Sequence, residues 1–124
     1  MPTPESMEAA VHAYVDAFAR GDAEAATAIF ANDAVVEDPI GSQPKCGRAA
    51  ILEFYTHSMA TGARLHLQGP VRLAAAHAAF AMQVRLQWEG KATAIDVIDT
   101  FAFNEAGQVV EMKAYFGPAN MAQA

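Results

Sequence analysis

The chain has 124 residues, of which 53% are hydrophobic and 18% charged; this supports one compact core, so we predict a single domain over residues 1–124. Its net charge of −6 would repel a polyanion, so a nucleic-acid partner is not expected. No apolar run approaches the ~20 residues that cross a membrane, so membrane insertion is not expected either.

The N-terminal sequence and the cysteine content indicate the cellular location. Cys46 is the only cysteine, which excludes a disulfide within the chain. The first ten residues lack the basic start and apolar block of a secretory signal peptide. Both features favour a reducing, cytoplasmic location.

The first predicted helix begins after Thr3, which can cap it, and ends at Gly21. The apolar residues between them recur at helical spacing and form one stripe. This stripe contains Met7, Val11, Tyr14 and Phe18.

Asp22 can cap a second helix, "AEAATAIF", over residues 23–30. A short strand over residues 34–38 follows and stops at Pro39, which cannot donate a ladder hydrogen bond. A third helix is predicted from Arg48 to about Ala60. Its apolar face consists of Ile51, Phe54, Tyr55 and Met59.

The second half of the chain alternates with period two, which is typical of strands. Turn residues divide it at Gly69-Pro70, Ala76-His77, Glu89-Gly90 and Asn104 to Gly107. We therefore predict four strands in a meander. Helices followed by an antiparallel sheet predict an α+β fold with the helices on one face of a curved sheet.

Strand alternation in "TAIDVIDTF", residues 93–101, turns Asp99 toward an apolar face and Asp96 away from it. A two-residue hairpin at Glu89-Gly90 would place Phe80 opposite Asp99. A four-residue loop at 104–107 would place Met112 on its other side. Burial between these side chains would raise the pKa of Asp99 and keep it protonated, although a capped or hydrated structural aspartate is the commoner explanation for a single such residue.

Asp38 and Tyr14 are two further candidates. Asp38 shares its parity with Ala34 and Val36, so it should point toward the helices, where a carboxylate at the mouth of an apolar pocket can act as a general base. Each residue also has a simpler interpretation. Asp38 can end its strand in an Asp-Pro turn, and Tyr14 can be an ordinary core tyrosine.

Five ordered segments resemble the bacterial ketosteroid isomerases over nearly the whole chain. They are "AYVDAFARGD" around Tyr14, "FANDAVVEDPIGSQP" around Asp38, "GRAAILEFY" ending at Tyr55, "AIDVIDTFAFNEAGQV" around Asp99, and "MKAYFGPANM" near the end. The resemblance implies isomerisation of a 3-oxo-Δ5-steroid to its conjugated Δ4 isomer. It assigns Asp38 as the catalytic base and Tyr14 with Asp99 as the oxyanion hole.

The same resemblance implies a conical barrel of a curved, mainly antiparallel sheet around three N-terminal helices, usually in a homodimer. It implies no metal, nucleotide or redox cofactor. Tyr55 would support Tyr14, whereas Phe30 stands where certain members have another tyrosine. The opposite sheet face suits the dimer interface, because it is apolar at its centre and charged at its rim. It contains Ile98, Thr100, Val109 and Tyr115 with Arg85 and Lys113.

A further group of side chains is expected to line the steroid pocket, with ordinary core packing as the alternative for each. This group contains Phe54, Tyr55, Met82, Val84, Phe101, Met112 and Phe116.

Two other functions remain open from sequence: another enzyme on the same fold, such as a polyketide cyclase or epoxide hydrolase, or a non-catalytic steroid-binding module. The four histidines lack metal-ligand spacing, so no metal site is predicted. They are His12, His57, His66 and His77.

Overall fold

The computed structural model describes residues 1–124 and contains three α-helices that pack on one face of an eight-stranded sheet. The helices are α1 (Pro4–Arg20), α2 (Ala23–Thr27) and α3 (Arg48–Ala60), and a 3-10 turn covers Pro118–Asn120. No helix is long and apolar enough to cross a membrane.

The sheet is curved and mainly antiparallel. Its strands are β1 (Phe30–Glu37), β2 (Lys45–Cys46), β3 (Arg64–Leu67), β4 (Arg72–Ala74), β5 (His77–Trp88), β6 (Lys91–Phe103), β7 (Val109–Tyr115) and β8 (Met121–Gln123). The order is β2-β1-β7-β6-β5-β3, with β4 added to β5 and β8 to β6. Only β1 and β7 run parallel. The predicted α+β fold is confirmed, but the sheet stays open and wraps the helices as a cone without closing into a barrel.

Local capping explains both ends of α1. Thr3 accepts a hydrogen bond from the backbone N–H of Ser6 at 3.0 Å, and Gly21 ends α1 with a φ of 65°, which glycine adopts without strain. The second helix, α2, ends at Thr27 and not at Phe30 as predicted. Phe30 instead begins β1, because it pairs with Val109 of β7, a long-range contact that overrides the local helical pattern.

The register of the long hairpin agrees with the prediction from its two-residue turn. Phe80 lies opposite Asp99 and Met82 opposite Val97. The predicted register between β6 and β7 is wrong, because a bulge after Ala102 shifts it.

Ala114 therefore lies opposite Asp99, and Met112 lies opposite Phe101. The shift has two parts. Phe103 pairs with Val109 and not with Gln108, whose N–H donates to the side chain of Asn104 at 2.9 Å, and the bulge adds one further residue. Val109 is therefore buried in the core and not on the outer face as predicted.

The core fills the space between the helices and the concave face of the sheet. It contains 25 buried apolar residues in one cluster, so every layer of the fold shares it. Tyr14 of α1 stands at its centre, with its ring edge-on to Phe101 at 5.4 Å and to Phe18 at 5.3 Å. Such aromatic pairs add about 0.5–1.5 kcal/mol each to the burial of their area.

Candidate active site

A cavity of about 470 Å³ opens between the concave sheet face, α1, α3 and the C-terminal segment. Nineteen residues line it and thirteen are hydrophobic, which fits the apolar character of sites for small ligands of ~300–1,000 Å³. Few polar side chains reach this cavity. Those with a hydroxyl or carboxyl group are Tyr14, Asp38, Ser58 and Asp99.

Asp99 lies in the middle of β6 and is 1% exposed. Neither of its carboxyl oxygens has a hydrogen-bond partner. Its cross-strand neighbours are Phe80 and Ala114, which offer it no polar group. Burial therefore raises the pKa of Asp99 well above its usual value, and the negative charge of Asp38 raises it further.

Asp38 follows directly after β1 and is half-buried at the cavity wall. Glu37 before it points the other way, and its carboxylate accepts the N–H of Gly41 at 2.8 Å. Burial raises the pKa of Asp38 to about 6, and the positive charge of Lys45 partly opposes this rise. Asp38 is therefore mostly ionised at neutral pH, whereas the neutral acid is favoured at Asp99.

The sheet register places Asp38 and Asp99 on either side of the same residue of β7. Glu37 pairs with Lys113 in the parallel ladder, so Asp38 comes next to Ala114, the partner of Asp99. The N–H of Ile40 donates to the carbonyl of Ala114 at 2.9 Å and ties the loop after Asp38 to that residue. The backbones of Asp38 and Asp99 thus lie on either side of β7, two strand spacings or about 10 Å apart.

Tyr14 brings a phenol from α1 to the same cavity. Burial raises the pKa of Tyr14 most, and Tyr55, Asp99 and Asp38 raise it further. Its hydroxyl therefore stays protonated and can donate a hydrogen bond. Tyr55 of α3 is buried beside it, with ring centroids 5.7 Å apart. Each phenol affects the pKa of the other. The hydroxyl of Tyr55 nevertheless has no hydrogen-bond partner.

Four of the apolar residues expected at the pocket do line it: Phe54, Met82, Val84 and Phe116. The other three, Tyr55, Phe101 and Met112, lie behind the cavity wall and do not line it, contrary to the expectation from sequence. They are at most 1% exposed because the helices cover them. Phe101, for example, is enclosed by the rings of Tyr14, Phe80 and Phe30.

Sequence reasoning left several lining residues out of the site. Leu86, Trp88 and Ile95 share the inward parity of their strands, so the alternation itself could have found them. Pro118 and Met121 gave no such signal, because β8 returns to pair with β6 outside the meander. No group of three or more His, Cys, Asp or Glu side chains is arranged to hold a metal ion.

Residues 11–112 match the family described as the SnoaL-like domain. The chain belongs to this family. It is also 38% identical over 116 residues to a protein named steroid Delta-isomerase from Nocardioides simplex, a match that covers 93% of both chains. This match confirms the resemblance to the steroid isomerases that the sequence segments indicated.

A solved structure shows the same fold at lower identity. It is the structure of SalBIII, an epoxide hydrolase/cyclase-like enzyme with a role in pyran ring formation in the polyether salinomycin. The two folds superpose with a TM-score of 0.93 over all of both chains, at 20% identity. This likeness concerns the fold alone, since different reactions share one fold.

Proposed function

We propose that this protein is a steroid Δ-isomerase that converts 3-oxo-Δ5-steroids to conjugated 3-oxo-Δ4-steroids. One observation carries the proposal: an apolar cavity holds a buried carboxyl group without hydrogen-bond partners, Asp99, at the level of an ionisable one, Asp38. The steroid isomerase relative, identical at 38% of the aligned positions, supports the same reaction.

Asp38 acts as the base in the proposed mechanism. In the substrate, the carbonyl and the alkene acidify the C4 proton, and a carboxylate with a pKa of about 6 can accept it. The electron pair moves onto the carbonyl, giving a dienolate with its negative charge on O3. Asp38 then returns the proton to C6, so no atom or electron is left over and no cofactor is needed.

Tyr14 and Asp99 stabilise the charge on O3. Both line the apolar cavity and both hold their proton at neutral pH, so each can donate a hydrogen bond to the oxyanion. Asp99 has no other partner for that proton. Donors fixed in a cavity of low polarity contribute roughly 3 kcal/mol each to transition-state stabilisation.

The proposal is tested by the rise of conjugated-enone absorbance when the purified protein meets 5-androstene-3,17-dione. We expect turnover by the wild type and a loss of about 100- to 10,000-fold in kcat for Asp38→Asn, the range for removing a general base. Asp38→Asn should still bind a phenolic steroid. Asp96→Asn, exposed on the same sheet's outer face, is the matched control and should retain turnover.

The two alternative functions give different results in this assay. A non-catalytic steroid carrier binds the phenolic steroid without converting the androstenedione, in both the wild type and Asp38→Asn. A cyclase or epoxide hydrolase, which the shared fold with SalBIII keeps open, neither isomerises this substrate nor favours it as a ligand. A wild-type rate equal to that of buffer would rule the isomerase proposal out.

A further inference from the structure

The cavity follows the paired strands β5 and β6, and their register orders its lining. From the inner end outward, the facing pairs are Phe80 with Asp99, Met82 with Val97, Val84 with Ile95, Leu86 with Thr93, and Trp88 with Lys91. All of these residues except Phe80, Thr93 and Lys91 line the cavity. Asp99 belongs to the first pair, and the ring of Tyr14 lies 6.4 Å from that of Phe80, the partner of Asp99. Trp88 is the last residue of this row that lines the cavity.

The cavity opens toward Trp88. Exposure along the inner face of β5 rises from 1% at Phe80 and 3% at Met82 to 49% at Trp88. Eight residues separate the first pair from the last, about 26 Å along the strand at ~3.3 Å per residue. This path is longer than a four-ring steroid skeleton, so a steroid with its oxygen at Asp99 leaves the outer part of the cavity unfilled.

The outer part of the cavity is apolar and uncharged. Leu86 and Trp88 line this part. Met121 also lines the cavity and lies one pair further in than Leu86, because β8 pairs it with Ile95, the partner of Val84. No charged side chain lines this end, so it offers no partner to an anionic or cationic group and favours a hydrocarbon.

We propose that Trp88 is a specificity-determining residue, which binds a hydrocarbon side chain carried on the ring of the steroid farthest from the carbonyl. This inference rests on the proposed function for the orientation of the steroid. It names the substrate class more closely: 3-oxo-steroids with an aliphatic side chain, bound with the side chain along Leu86, Trp88 and Met121.

Two product steroids that differ only in the side chain test this proposal, 4-cholesten-3-one and 4-androsten-3-one. Their affinities are measured by displacement of equilenin, a fluorescent phenolic steroid, with equal cyclodextrin as carrier. We expect Trp88→Ala to weaken the cholestenone about tenfold, the scale for truncating a tryptophan contact, and the androstenone less than about twofold. Trp88→Phe should restore most of the difference.

Gln87→Ala is the matched control, since Gln87 is the exposed neighbour of Trp88 on the same strand and does not line the cavity. It should leave both affinities unchanged. An equal loss for both steroids, or no loss for either, would overturn the proposal.

Trp88 is also the only tryptophan of the chain, which gives a second readout in the unmutated protein. Cholestenone should shift its emission to shorter wavelength by covering the indole, and androstenone should not. Both measurements use product steroids that the protein does not convert, so their results do not depend on turnover. If the protein binds these steroids with the predicted difference but does not isomerise 5-androstene-3,17-dione, the proposed function fails and the side-chain site stands.

Discussion

Asp99 on β6 lies directly opposite Phe80 on β5, and neither oxygen of its carboxyl group has a hydrogen-bond partner. A buried polar group without partners costs the folded state about 1–3 kcal/mol. The fold thus keeps an acid where an apolar side chain would pack more favourably. This cost is understandable if the free proton of Asp99 is reserved for a ligand.

We predict that Asp99→Leu raises the free energy of unfolding by about 1–3 kcal/mol at neutral pH while lowering turnover. The variant removes a group whose folded pKa lies well above its unfolded value. Wild-type stability therefore falls as the pH rises above the unfolded pKa of about 3.9, and the advantage of the variant grows over the same range. Urea unfolding at several pH values measures both effects.

The control for this variant is Asp96→Leu, because Asp96 is exposed on the opposite face of the same strand. It should change stability by less than about 0.5 kcal/mol. A destabilised Asp99→Leu protein with unchanged pH dependence would mean that Asp99 is ionised and satisfied in the folded state.

Tyr14 and Tyr55 should differ sharply, although both phenols are buried. Tyr14→Phe removes a donor that lines the cavity and should lower kcat about 100- to 1,000-fold with little change in KM. Tyr55→Phe removes a hydroxyl without a partner and away from the cavity surface, so activity should stay close to wild type. Equal losses in the two variants would show that the phenols act as one hydrogen-bonded unit.

The sequence predicts those parts of the site that depend on local pattern. Strand alternation and a two-residue turn were enough to place Asp99 inside and opposite Phe80, because a tight hairpin turn sets the register of both strands. Helical spacing likewise placed Tyr14 on the buried stripe of α1.

The parts that the sequence did not predict depend on contacts between distant segments. The parallel pairing of β1 with β7 begins at Phe30, so α2 is shorter than predicted. No local sequence pattern reveals this pairing. The turn, in which Gln108 donates to Asn104, and the bulge after Ala102 each shifted the register by one residue, so Met112 does not lie opposite Asp99. Met121 lines the cavity because β8 pairs with β6.

The pH dependence of the proposed reaction should follow the ionisation of Asp38. Burial raises its pKa to about 6, and only the carboxylate can accept the C4 proton. The value of kcat/KM should therefore increase about tenfold per pH unit below 6 and level off above it. A profile that is flat from pH 4 to 8, with a substrate that does not itself titrate, would contradict this role.

Lys45 should tune that profile. Its ammonium group lies 5.2 Å from the ring centroid of Phe54 at the cavity wall, donates to the carbonyl of Gln43 at 2.7 Å, and lowers the pKa of Asp38. Lys45→Met should move the acid limb to higher pH, whereas Lys45→Arg should keep it near the wild-type position. The same shift in both variants would attribute the effect to packing on Phe54 and not to charge.

The outer face of the sheet leads to the last prediction, a homodimer. Ile98 and Tyr115 lie opposite each other there, and they are 50% and 47% exposed. A second copy would bury them in a two-fold interface. Ile98→Asp should then raise the dissociation constant of the dimer at least about tenfold, because each copy would bring a like charge to the interface.

Sedimentation equilibrium compares this variant with Ala9→Glu, which adds a charge on the exposed side of α1 and should leave the dimer intact. The cavity of one chain contains Tyr14, Asp38 and Asp99 together, so any turnover lost by dissociated Ile98→Asp should return with protein concentration. A wild-type protein that stays monomeric at its highest soluble concentration would refute the dimer and leave the cavity chemistry untouched.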